Sequence, residues 1–166
     1  NIVRAVSVKN LTILERETMA MKRAFLERPT SREAFQLRRY PLLRDPDDFG
    51  MRMTLESGEL KDTMLLSTDK NIPTSLTRLS PPLAVYGVYV FIHCIRPLQE
   101  HVYTMPQVIL RNLVLLGRYC PPMRDEIYLQ IAKQLRNNPR AAECNRMWRI
   151  LGVCLQYFPP SIELGM

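Results

Sequence analysis

The residues of this 166-residue chain best placed to do acid–base chemistry are Arg124, Asp125 and Glu126. Two carboxylates act as a general acid and base only when both reach one substrate. Adjacent residues on a helix project about 100° apart, so Asp125 and Glu126 do not converge. Their expected roles are helix capping and a local ion pair with Arg124. Cys94, Cys120, Cys144 and Cys154 contain no Cys-x-x-Cys pair, and His93 and His101 are the only histidines, so no zinc spacing arises. These cysteines read as free thiols of a reducing compartment. No serine or cysteine has a histidine placed for a triad, and neither a phosphate loop nor a dinucleotide fingerprint occurs. The expectation is no catalytic residue, no metal and no cofactor.

Charge is the remaining chemical feature. The formal net charge is +7, and arginine greatly outnumbers lysine. Residues 101–166 carry eight Lys and Arg against four Asp and Glu. The guanidinium fork suits carboxylate or phosphate recognition, so an anionic partner is expected. Arg136, Arg140, Arg146 and Arg149 surround one interhelical turn, while Arg111 and Arg118 lie seven apart on one face; with Lys133 these form the candidate basic face. A solvated helical surface explains the same charges equally well. Aromatic interleaving of the kind nucleic-acid readers use is absent, so nucleic acid is not the expected partner.

These residues must be carried by helices. A 46% hydrophobic content with 6 Gly and 8% aromatics suits one globular domain and disfavours a turn-rich sandwich. Lys9 to Glu27 has an amphipathic period, and Thr30-x-x-Glu33 resembles a capping box for a short helix to about Arg39. Pro41 to Thr63 reads as an irregular connector or surface excursion. Ile72 to Leu76 reads as extended, giving way to a helix near Thr74 or Ser75. Pro81-Pro82 can open the next helix. Leu83 to Ile95 is apolar all round, fitting a strand or a fully buried helix. At about 13 residues it is too short to span a membrane, which needs ~20. Further helices are expected after Pro106, over Arg124 to Asn137 and over Glu143 to Tyr157. The single tryptophan, Trp148, reads as a core anchor. Ser161 could cap a following helix for which the chain is too short. A start at Asn1 rather than Met suggests a piece of a longer protein.

Arg124-Asp-Glu-Ile-Tyr128, Gln130, Gln134, Asn138-Pro139, Arg146-x-Trp148 and Phe158-Pro-Pro-Ser161 form a specific set. It resembles the signature of the myosin tail homology four (MyTH-four) domain. Ile72-Pro-Thr-Ser-Leu76 is similar to the family's opening motif, and Arg136-Asn-Asn-Pro139 to its kinesin branch. The resemblance covers about Met64 to the C-terminus. There are two departures: Met147 replaces the glycine usual in myosin members, so a larger side chain must fit there, and His93-Cys-Ile-Arg96 stands where a Tyr-Met-Gly-Asp motif is usual, which bears on loop geometry and partner choice.

The resemblance implies an all-α, compact multi-helix bundle, with residues 1–63 as a helical lead-in and 64–166 as the core, the final helix truncated. It assigns Arg124, Asp125, Glu126, Tyr128, Gln130, Gln134, Pro139 and Trp148 to the structural signature. It implies a non-catalytic module of a cytoplasmic, cytoskeleton-associated motor tail, a neighbouring FERM domain, and microtubules or acidic cargo peptides as partners. The alternative host is a regulatory protein such as a Rho GTPase-activating protein, with the domain as a peptide-binding scaffold.

Overall fold

Asn137-Asn-Pro139 and Cys120-Pro-Pro122 break the chain on either side of its most buried helix. In the computed structural model, which describes residues 37–50, 57–100 and 106–165, this helix runs Met123–Leu135. In chain order the helices are α1 (Ser57–Met64), α2 (Pro81–Val90), α3 (Arg96–Glu100), α4 (Gln107–Tyr119), α5 (Met123–Leu135, the buried helix), α6 (Ala141–Tyr157) and a terminal turn α7 (Ile162–Gly165). A 3-10 turn, Leu37–Arg39, precedes them. The architecture is all-α as expected, and among the described residues the only β feature is an isolated bridge between Leu43 and Thr77. No described helix is long and apolar enough to cross a membrane.

The α5 helix packs against α2, α4 and α6. Ile127, Leu129 and Ile131 are fully buried, with Met147, Ile150 and Cys154 of α6 and Leu113 of α4 in the same core. All four cysteines are free thiols. Trp148 is half-buried, so it borders the core rather than filling it. The Lys9 to Glu27 helix and most of the Thr30 to Arg39 helix lie outside the described residues.

Three expectations are corrected. First, the Pro41 to Thr63 connector holds α1 at its end, and its turns bury Leu43 and Phe49 in the core with neighbouring Tyr40. Second, residues 74–80 do not begin a helix. The Leu76 carbonyl accepts from Arg44 N–H at 2.7 Å, and Arg78 N–H donates to Leu42 at 2.8 Å, so the backbone is held extended by cross-chain bonds. Third, the apolar helix of residues 83–95 is not buried all round. Val85 is 73% exposed, and Tyr86 and Tyr89 are about half exposed, stacked with ring centroids 5.6 Å apart.

That helix also changes pitch. Phe91–Ile95 is a π turn, closed by Arg96 N–H bonding to the Phe91 carbonyl. Pro97 supplies the physical reason: it has no N–H to donate, and its ring crowds the carbonyl four residues back, that of His93. A wider turn relieves both constraints.

Gly117 lies on the buried side of α4, and a Cβ built there would meet the Phe158 ring at 2.3 Å. Phe158 is itself locked, edge-on to Tyr128 with centroids 5.6 Å apart. Gly117→Ala is therefore expected to lower stability by about 1 kcal/mol, overpacking outweighing alanine's better helix propensity. Urea unfolding of the two proteins checks this; an alanine variant more stable than wild type would contradict the close approach.

Candidate partner-binding surface

The site begins from what α5 does with its polar side chains. Buried polar groups need hydrogen-bond partners, and α5 finds them in other segments. Asp125 accepts from the Tyr40 hydroxyl at 2.6 Å and from Ser161 N–H at 2.8 Å. Glu126 is fully buried and accepts four bonds: Leu76 N–H at 2.9 Å, Thr77 N–H at 2.7 Å, the Thr77 hydroxyl at 2.6 Å and the Gln130 amide at 2.8 Å. Burial pushes the Glu126 carboxyl above its ordinary range, while the four donors pull it back. The capping and local ion-pair roles expected for these two acids are thus replaced by links to distant segments.

The rest of the helix behaves alike. Arg124 Nε donates to the Gly117 carbonyl at 2.8 Å. The Tyr128 hydroxyl donates to the Phe158 carbonyl at 2.7 Å, and Gln130 to the Gly87 carbonyl at 2.9 Å. The Gln134 amide pairs with Thr68 in both directions, at 3.0 and 2.9 Å. Pro139 is exposed in the turn that follows.

Lys133 is corrected as a member of the basic face. It is 4% exposed, and its ammonium turns inward to the carbonyls of Met64 at 2.7 Å and Leu66 at 2.5 Å. Burial, with Arg136 nearby, lowers its pKa to about 8.

The fold divides the remaining cations. Arg136 pairs with Asp62 at 3.0 Å. Arg146 directs Nε to the Gln99 carbonyl at 2.6 Å and is half-buried, as is Arg149. Arg140 remains 56% exposed beside Glu143 at 2.8 Å. Arg111 and Arg118 are exposed on the outer side of α4. Glu143 is buried and also accepts from Gln99 at 2.5 Å and Asn138 at 3.2 Å, which shapes the turn before α6. That turn, residues 137–140, and the loop of residues 67–70 line an open cleft of about 410 Å³. Lys70 joins Arg140 there, a cation that sequence spacing had no means to find, since only the fold brings the two loops together.

The profile of the MyTH4 domain, the myosin tail homology four module, matches residues 110–165, which include all of α5 and α6. The chain carries a MyTH4 domain. It is 32% identical over 123 residues to the high molecular weight form of myosin-1 of Acanthamoeba castellanii, covering 74% of this chain and 8% of that protein. It is 31% identical over 118 residues to the kinesin-like protein KIN-14I of Oryza sativa subsp. japonica, covering 66% of this chain and 9% of that protein. The chain thus spans less than a tenth of either relative. The Dictyostelium discoideum myosin VII MyTH4-FERM MF2 domain shares the fold, with a TM-score of 0.59 at 17% identity over 71% of this chain and 24% of that one. A MyTH4 domain is a non-catalytic module of myosin and kinesin tails.

Proposed function

We propose that this MyTH4 domain is a non-enzymatic docking module of a cytoskeletal motor tail, with a FERM domain as neighbour, and that it binds the acidic surface of microtubules. The observation that carries the reading is how the interior takes up charge. Among the described residues three carboxylates, Asp125, Glu126 and Glu143, are buried against one ammonium, Lys133. The surface of a chain already at +7 is therefore more basic than its composition. Lys70 and Arg140 at the cleft, which Asp69 also lines, form the centre of the docking face, with Arg136 four residues before Arg140 and Arg149 nine after it. The Arg136–Asp62 ion pair is half-exposed; such pairs contribute little and exchange readily for a partner's carboxylates.

Co-sedimentation with microtubules across a salt series tests this. Wild-type binding is expected to fall with salt, because exposed charges are screened over about 8 Å at physiological ionic strength. Lys70→Glu/Arg140→Glu is expected to weaken binding by at least about tenfold, or 1.4 kcal/mol. No pelleting of the folded wild type at low salt would defeat the proposal and turn attention to acidic cargo peptides at the same cleft.

A further inference from the structure

The outer side of α4 has a composition unlike a solvated helix. Val108, Arg111, Asn112, Leu115, Arg118 and Tyr119 follow one another at spacings of three, four, seven, ten and eleven from the first, which places them on a single face. Leu113 and Gly117 occupy the opposite, buried side. Yet the outer face is not polar: Val108 is 71% exposed, Leu115 39% and Tyr119 74%. The whole helix contains no Asp, Glu or Lys, so its only charges are the two exposed arginines. The Arg118 guanidinium lies 5.7 Å from the centre of the Tyr119 ring. Aromatic side chains with arginine, and without lysine or acids, are what protein interfaces enrich. A face turned to solvent only would carry lysine and glutamate instead.

We infer that this face of α4 is a second docking surface, distinct from the cleft, and that its occupant is an acidic amphipathic helix from a protein partner. Charge complementarity sets the sign. Two cations on the surface, with no acid on their own helix, call for carboxylates opposite them. Their seven-residue separation corresponds to about 10 Å along the axis at 1.5 Å per residue, so a partner helix meets both with acids two turns apart. Leu115 lies between the arginines, and Val108 and Tyr119 beyond them, so apolar residues on the partner must fill the intervening turns. A lipid surface fits less well. Asn112 sits in the middle of the face, and α4 is packed on α5 and α6, so only isolated side chains protrude instead of a continuous apolar stripe able to sink into a bilayer.

A display library of random 16-residue peptides, selected on the intact 166-residue chain, tests the assignment. Recovered peptides are expected to carry acids about seven residues apart with apolar residues between them. In fluorescence anisotropy their affinity should fall about tenfold or more for Arg111→Glu/Arg118→Glu and for Leu115→Ser, each confirmed as helical by circular dichroism. Lys70→Glu/Arg140→Glu should leave it unchanged, which separates this surface from the cleft: microtubule binding can fail while peptide binding persists, and the reverse. Recovery of no peptides, or of peptides indifferent to the α4 substitutions, overturns the proposal. So does binding to phosphatidylserine-containing vesicles that Arg111→Glu/Arg118→Glu abolishes while no peptide is recovered.

Discussion

Glu126→Ala is expected to destabilise the domain by about 4 kcal/mol, with a fall in Tm of roughly 10 °C for a chain of this size. The carboxylate is fully buried and satisfies donors from Leu76, Thr77 and Gln130. Removing it strands those donors where water cannot reach them, and each costs about 1–3 kcal/mol when unpaired. Glu126→Gln distinguishes this account from simple loss of volume. The glutamine amide fills the same space, but its NH2 must face donors on one side, so a loss of about 2 kcal/mol remains. Urea unfolding of the three proteins reads the series. A glutamine variant as stable as wild type would show that the bonds lost at the NH2 side contribute nothing net. The extended backbone at residues 75–77 depends on the same carboxylate, so backbone amide exchange there should accelerate in both variants.

The second large effect belongs to Lys133, and its signature is pH dependence. Lys133→Met removes the donor shared by the Met64 and Leu66 carbonyls, and a loss of about 2 kcal/mol at neutral pH is expected. The unfolded chain holds the lysine proton up to about 10.5, whereas the folded chain releases it near 8. Between those values the unfolded state binds more protons, so the lysine's contribution to stability rises with pH. The gap between wild type and Lys133→Met should therefore widen by about 2 kcal/mol between pH 8 and 10. The Cys154 thiol, which burial pushes up to about 12, acts in the opposite direction above pH 9, but it is common to both proteins and cancels in the difference. Denaturant midpoints at pH 7, 8, 9 and 10 check the trend; a constant gap would mean that Lys133 is not held as a buried cation.

Both residues illustrate what was legible in the sequence. The α5 and α6 helices were readable to within a few residues because Ile127, Ile131, Met147, Ile150 and Cys154 repeat at helical spacing. The motif around Arg124 to Gln134 was readable as a family signature, but its mechanics were not. Glu126 and Lys133 look like solvated charges until their partners, 49 and 69 residues away, are in place. The same reason hid the extended backbone before Pro81, which a distant carboxylate imposes against local preference. The exposure of Val85 and Tyr89 is not legible in the sequence, because an apolar run has the same composition whether or not a neighbour covers it. The cleft was half visible: Arg140 stood out at a charged turn, while Lys70 had no local feature to mark it.

The reach of α5's side chains also bears on how fast this domain assembles. Helical proteins ordinarily fold quickly because their contacts are close in sequence. Here the bonds that fix the helix join residues separated by 85 positions at Tyr40 and Asp125, 66 at Thr68 and Gln134, and 43 at Gly87 and Gln130. Each requires a long loop to close before its bond forms, and that entropy is lost ahead of any return. Its helices can therefore form early, while these particular bonds wait on the encounter of distant segments with one polar helix.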